Sequence, residues 1–185
     1  MNHDWCPRRD VLKTALGLCA APLLPAQDNP ASERPKEGDL LVRVGDQTAT
    51  PLTPADIKAG VRQTMAFPMD RDSRTVRNGS RLNRILLVRL DAEKLAPETS
   101  ARAAESVVAY SALCSHSGCE IANWIPEEQA LFCPCHASKF APGDGAKVLD
   151  GPAPRPLPAL PLKVADGKLT VAQPFTARIT FEQAG

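Results

Sequence analysis

Two short stretches of this sequence concentrate side chains that bind soft metals. The first is Cys114-Ser115-His116-Ser117-Gly118-Cys119, and the second is Cys133-Pro134-Cys135-His136-Ala137-Ser138. Each holds one cysteine–histidine pair, spaced Cys-x-His in the first box and Cys-x-x-His in the second, together with one further cysteine. A thiolate and an imidazole on one loop can both reach a metal centre without regular secondary structure. Two such loops supply two sulfur and two nitrogen ligands. The sequence has three histidines, and the third, His3, lies at the extreme N-terminus. A tetrahedral structural zinc site would use the same four ligands. It would not require the additional cysteine that each box carries, Cys119 and Cys135.

The segments that must hold these boxes read as strands. A length of 185 residues suits one domain with extensions, and 43% hydrophobic residues suffice for a sizeable core. The 18 prolines are roughly twice average usage, which argues against a helix bundle and for short strands joined by stiff loops. A net charge of +1 argues against a nucleic-acid partner. Residues 27–38 read as a polar linker. Leu40–Val44 reads as a strand closed by Gly45-Asp46, and Thr53 with Pro54 as the start of a short helix. Residues 62–83 look like an arginine-rich loop. Residues 85–90 and 106–110 read as strands, and residues 175–181 as a final edge strand. Asp166-Gly167 between Leu160–Val164 and Leu169–Val171 predicts a hairpin with a type I′ turn. Arg71, Arg74, Arg77, Arg81, Arg84 and Arg89 read as a solvated face by default, or as a surface for an acidic partner. The pattern predicts an all-β domain.

Residues 1–26 have the layout of an export signal: basic Arg8-Arg9, a short apolar run, then small residues. Arg8-Arg9 with Leu12 and Lys13 resembles a twin-arginine signal. The apolar run from Thr14 to Ala26 would reach about 20 Å as a helix, short of the ~30 Å hydrocarbon core of a bilayer. Export implies a periplasmic location where disulfides persist.

The two boxes resemble those of the Rieske iron–sulfur proteins, in which one iron of a [2Fe–2S] cluster has two cysteine ligands and the other two histidines. The subtype is similar to the high-potential proteins of cytochrome bc complexes. The resemblance implies an antiparallel β-sheet domain over residues 39–185, with a two-loop cluster-binding subdomain at about 112–156. It assigns Cys114 and Cys133 to one iron, His116 and His136 to the other, and a disulfide to Cys119 and Cys135. Ser138 falls where the family places a serine that bonds a bridging sulfide, and Phe140 where high-potential members often place a tyrosine. Gly151-Pro152-Ala153-Pro154 resembles the family's proline loop, which covers the cluster from a third side.

Neutral imidazoles make the cluster less negative than four thiolates would, which raises its potential. Histidine ligands can also gain protons on reduction. The resemblance therefore implies one-electron transfer between a redox enzyme or quinol and a cytochrome-like acceptor, with no independent substrate site. The partner would be a cytochrome or a dehydrogenase or oxidase subunit, with peripheral membrane association. An alternative is the quinol-oxidising subunit of a cytochrome bc complex. Ser117 departs from that subtype, which usually carries leucine there. An oxygenase would need a second iron site, usually with two further histidines and a carboxylate, and His3 alone is left.

Overall fold

The computed structural model describes residues 29–181, so the expected export signal, with Cys6 and Cys19, lies outside the described residues. Six strands form one antiparallel sheet: β1 (Leu40–Arg43), β2 (Thr64–Met69), β3 (Ile85–Arg89), β4 (Val107–Ser111), and the later pair β9 (Leu162–Ala165) and β10 (Lys168–Val171). Their spatial order is β4-β3-β2-β1-β10-β9. Between β4 and β9 the chain builds a second sheet from β5 (Asn123–Ile125), β6 (Ala130–Phe132), β7 (Lys139–Ala141) and β8 (Lys147–Asp150). These four pair in sequence order as a meander. One short helical turn, α1, spans Pro97–Ser100.

The two-residue periodicity of a strand decides where the core lies. Strands β3 and β4 read as continuous apolar runs because both of their faces are buried. Ile85, Leu87, Val107 and Ala109 share one cluster with Leu41, Leu160 and Leu169, on the inside of the large sheet. Leu86, Val88, Val108 and Tyr110 face the other way and share a cluster with Leu131, Phe140, Cys114 and Cys133. The second cluster is the floor of the metal-binding end. The large sheet curls until its two edge regions meet. The Leu160 amide donates to the Ala109 carbonyl at 2.9 Å, and Ala159 bridges Tyr110. At the far hairpin, Asp166 (φ 52°) and Gly167 (φ 71°) take the paired positive angles of a type I′ turn, as their sequence predicts.

Four expectations differ from the structure. Residues 62–83 are not all loop, because β2 lies inside the large sheet and pairs with both β1 and β3. Pro68 is tolerated there because its backbone faces away from β1, and its carbonyl accepts from the Arg77 amide at 2.8 Å. The arginines do not form one solvated face. Arg77 is 1% exposed and donates to Asp39 at 2.8 Å, Glu33 at 2.5 Å and Asp70 at 3.0 Å. Arg84 pairs with Glu120, and Arg71 pairs with Asp166 at 2.8 Å. From Asn29 onward the expected linker is bonded to the body, through Gly79 N–H to Ala31 O and Asn83 Nδ2 to Glu33 O. Residues 175–181 add no strand. They run as an extended segment tied by the Thr176 amide to the Ala159 carbonyl at 2.9 Å.

Candidate metal centre

Both cysteine–histidine boxes are six-residue turns closed by the same kind of bond. In loop 1, between β4 and β5, the Cys114 amide donates to the Cys119 carbonyl at 2.8 Å. In loop 2, between β6 and β7, the Cys133 amide donates to the Ser138 carbonyl at 2.9 Å. The first cysteine of each turn is thereby fixed at its neck, inside the apolar cluster. Cys114 and Cys133 are both free thiols and both 1% exposed. The histidines sit further out, with His116 half-buried and His136 exposed.

The loops bring their tips together. His116 Nδ1 lies 3.2 Å from His136 Nδ1, and the two rings meet edge to face with centroids 4.5 Å apart. Two ring nitrogens at this distance either share one N–H as a hydrogen bond or turn their lone pairs to a common electron-poor centre. Cys119 and Cys135 form a disulfide that joins the two loops, the pairing the resemblance implies. The Cys133 sulfur lies within 4.8 Å of both disulfide sulfurs. Those two sulfurs are already bonded to each other, so the free donor set is two thiols and two imidazoles. Burial pushes the Cys114 thiol up, and the neighbouring Cys133 adds to this. The His116 amide and the Ser138 hydroxyl pull it the other way.

A third segment closes the site. The chain leaves β8 through Gly151, whose φ is +85°. A Cβ at Gly151 would lie 2.5 Å from Ser138 Cα and 2.8 Å from Ser138 N, so this turn rests directly on the backbone of loop 2. The Ala153 amide donates to Ser138 Oγ at 3.1 Å, which leaves the Ser138 hydroxyl proton free to donate elsewhere. Ala153 is buried with Cys114 and Cys133, while Pro152 and Pro154 face solvent. On the other side, Ser115 Oγ donates to the Arg155 carbonyl at 2.6 Å. The proline-rich segment is thus pinned to both loops.

Phe140 lies at the centre of β7, fully buried, paired with Leu131 and Val148 and packed in the apolar cluster that holds both free thiols. The only tyrosine, Tyr110, points elsewhere and donates to the Pro142 carbonyl at 2.6 Å. Burial holds its hydroxyl far above the usual tyrosine range. Sequence reasoning missed the Ser115–Arg155 contact, because nothing local to Ser115 marks a partner 40 residues away. It also missed the contacts that Arg81 and Phe181 make with loop 1.

Two sulfurs and two nitrogens on tied loops fit either zinc or an unequally ligated iron–sulfur cluster, and comparison with known proteins separates the two. The family profile of the Rieske [2Fe-2S] domain matches residues 70–161. The cytochrome bc1 complex Rieske iron-sulfur subunit of Streptomyces lividans is 33% identical over 133 residues, covering 70% of this chain and 76% of that one. The cytochrome b6-f complex iron-sulfur subunit of Chlorobaculum tepidum is 40% identical over 67 residues, covering 36% of this chain and 35% of that one. The chain therefore spans about three quarters of the first relative and about a third of the second. Among solved structures, the soluble domain of Rieske protein II from Sulfolobus acidocaldarius aligns with a TM-score of 0.39 and 23% identity, over 54% of this chain and 68% of that one. With the paired loops, their disulfide and the two free thiols set against this match, the chain belongs to the Rieske family of electron-transfer proteins, whose domain carries a [2Fe–2S] cluster.

Proposed function

We propose that this chain is an exported one-electron carrier that holds its cluster through Cys114 and Cys133 on one iron and His116 and His136 on the other. The observation that carries the assignment is the meeting of the two Nδ1 atoms at 3.2 Å, above a floor that holds two free buried thiols. When bound, the cluster supplies a site that accepts and returns one electron. The residues around it set how it does so. Buried Cys114 and Cys133 keep the sulfur side away from water, and the histidines put the nitrogen side at the surface, where a partner can approach. The disulfide and the proline segment keep both loops in place while the charge changes, which limits reorganisation. Ser138, held by Ala153, has its proton available for a bond that stabilises the more negative reduced state. Phe140 has no hydroxyl to add a second such bond, so the potential lies below that of a relative with both serine and tyrosine.

The partner is a redox protein: a cytochrome as acceptor, with a dehydrogenase or oxidase subunit as donor. Arg8-Arg9 and the apolar run after it support export to the periplasm, and an inter-loop disulfide suits that oxidising compartment. The relatives named for cytochrome bc1 and b6-f complexes support a second reading, a quinol-oxidising subunit of such a complex. No helix among the described residues is long and apolar enough to cross a membrane. That reading therefore calls for peripheral attachment or an anchor outside residues 29–181.

Iron and acid-labile sulfide assays test the assignment. The wild-type protein should contain two irons and two sulfides per chain. Cys114→Ser and Cys133→Ser should lose both, and so should His116→Ala and His136→Ala. Retention of full iron and sulfide in any of the four overturns that ligand. Membrane retention after a salt wash, with quinol-dependent cytochrome reduction, would favour the second reading over the first.

A further inference from the structure

Loop 1 is gripped from outside by residues far from it in sequence. Gly118 has φ +72°, and a Cβ built on it would lie 3.0 to 3.1 Å from three ring atoms of Phe181. The Phe181 ring therefore lies against the bare backbone of the loop, in a place only glycine allows. Arg81 closes the same contact from a second direction. Its guanidinium carbon lies 5.7 Å from the centre of the Phe181 ring, within cation–π range, and its Nη2 donates to the Gly118 carbonyl. A third residue fixes the segment that carries Phe181: Arg155 Nη2 donates to the Thr180 carbonyl at 3.3 Å. Gly118 passes the restraint inward, since its amide donates to the Cys114 carbonyl at 2.9 Å.

The need for such a clamp follows from the composition of the loop. Ser115, Ser117 and Gly118 give it no apolar side chain with which to cover its own outer face. A glycine with positive φ also has much conformational freedom to lose. A ring laid over it removes water from the loop backbone and narrows the conformations available to it. The positive charge of Arg81 at the same point favours the more negative of two charge states on the loop's inner side.

We infer that Arg81 and Phe181 are positioning residues that clamp Gly118, making the C-terminal segment 172–181 a working part of the cluster cage. The segment holds loop 1 in its ligand-presenting form and keeps water from its outer face. This rests on the reading of Cys114 and His116 as ligands.

The test uses the full-length, cluster-loaded protein and three variants: Phe181→Ala, Phe181→Leu and Arg81→Gln. Hydrogen–deuterium exchange of the peptide covering loop 1 is read alongside the rate at which the visible spectrum bleaches in air. Both should rise several-fold in Phe181→Ala and return most of the way to wild type in Phe181→Leu. Arg81→Gln should lower the reduction potential, a readout that simple loss of packing would not move in a fixed direction. If Phe181→Ala fails to load, Arg155→Gln decides. It releases Thr180 without altering the ring, and should raise both rates by a smaller factor. Exchange and bleaching within twofold of wild type in every loaded variant would overturn the clamp. A wild-type protein whose reduced spectrum shows no imidazole ligation would instead overturn the ligand assignment, a separate failure visible before any variant is made.

Discussion

In the six-stranded sheet, Leu41, Ala66, Ile85, Leu86, Leu87 and Leu169 are completely buried, whereas the strands of the four-stranded sheet bury only Ala130, Leu131 and Phe140. The body rests on alternating apolar faces, closed where segment 158–160 meets β4. The metal end has too little apolar area to define its loops by packing alone. It relies on single ties instead: a disulfide between the loops, Ser138 to Ala153, and Ser115 to Arg155. A scaffold of this kind can lose the geometry of its site while the body stays folded, because the ties do not reach into the large sheet.

That contrast is broken most strongly from the body. Arg77 is buried against Asp39, itself 3% exposed. Arg77→Ala leaves a buried carboxylate without its partner and should cost about 3–5 kcal/mol of global stability by denaturant titration. Its cluster spectrum per folded molecule should stay as in wild type. At the metal end, Cys135→Ser opens a cross-link between residues 16 apart, worth about 3 kcal/mol of loop restraint. The outcome expected is rapid cluster loss with far-ultraviolet circular dichroism retained. Parallel loss of both signals would show that the two ends fold as one unit.

Smaller changes sharpen the comparison. Gly151→Ala places a methyl group against the backbone of Ser138 at a positive φ and should cost about 1–3 kcal/mol. The damage should appear first as faster exchange in loop 2. Phe140→Tyr adds one donor beside the thiols, and a single hydrogen bond of about 1 kcal/mol corresponds to roughly 40 mV for one electron. Voltammetry should show the potential rising by about that much, and Ser138→Ala should lower it by a similar amount. Arg71→Ala removes an exposed pair with Asp166 on the body and should change stability by less than about 1 kcal/mol, with no effect on the potential.

The metal end was more legible in the sequence than the body that supports it. Its candidate ligands fall within two six-residue boxes, so spacing alone brings them into view. The type I′ turn at Asp166-Gly167 and the short helical start at Thr53 and Pro54 were legible for the same reason, since each is decided by adjacent residues. Strand β2 was hidden by Pro68 and by the arginines after it. Its place in the sheet is set by pairing with β1 on one side and β3 on the other, which no local pattern records. Arg77 looked like a surface charge because Asp39 and Glu33, which bury it, lie 38 and 44 residues away in the chain. The Phe181 contact with Gly118 joins positions more than a third of the chain apart, and neither residue type announces it.

Unequal ligation of the two irons is the claim on which the rest depends, and it is tested most directly by electron paramagnetic resonance of the reduced protein with isotopically labelled histidine nitrogen. Hyperfine couplings from two imidazole nitrogens should be resolved, and both should trace to His116 and His136, the only histidines within the described residues. A reduced signal without nitrogen coupling, or a protein that yields no such signal while holding stoichiometric zinc, would contradict it.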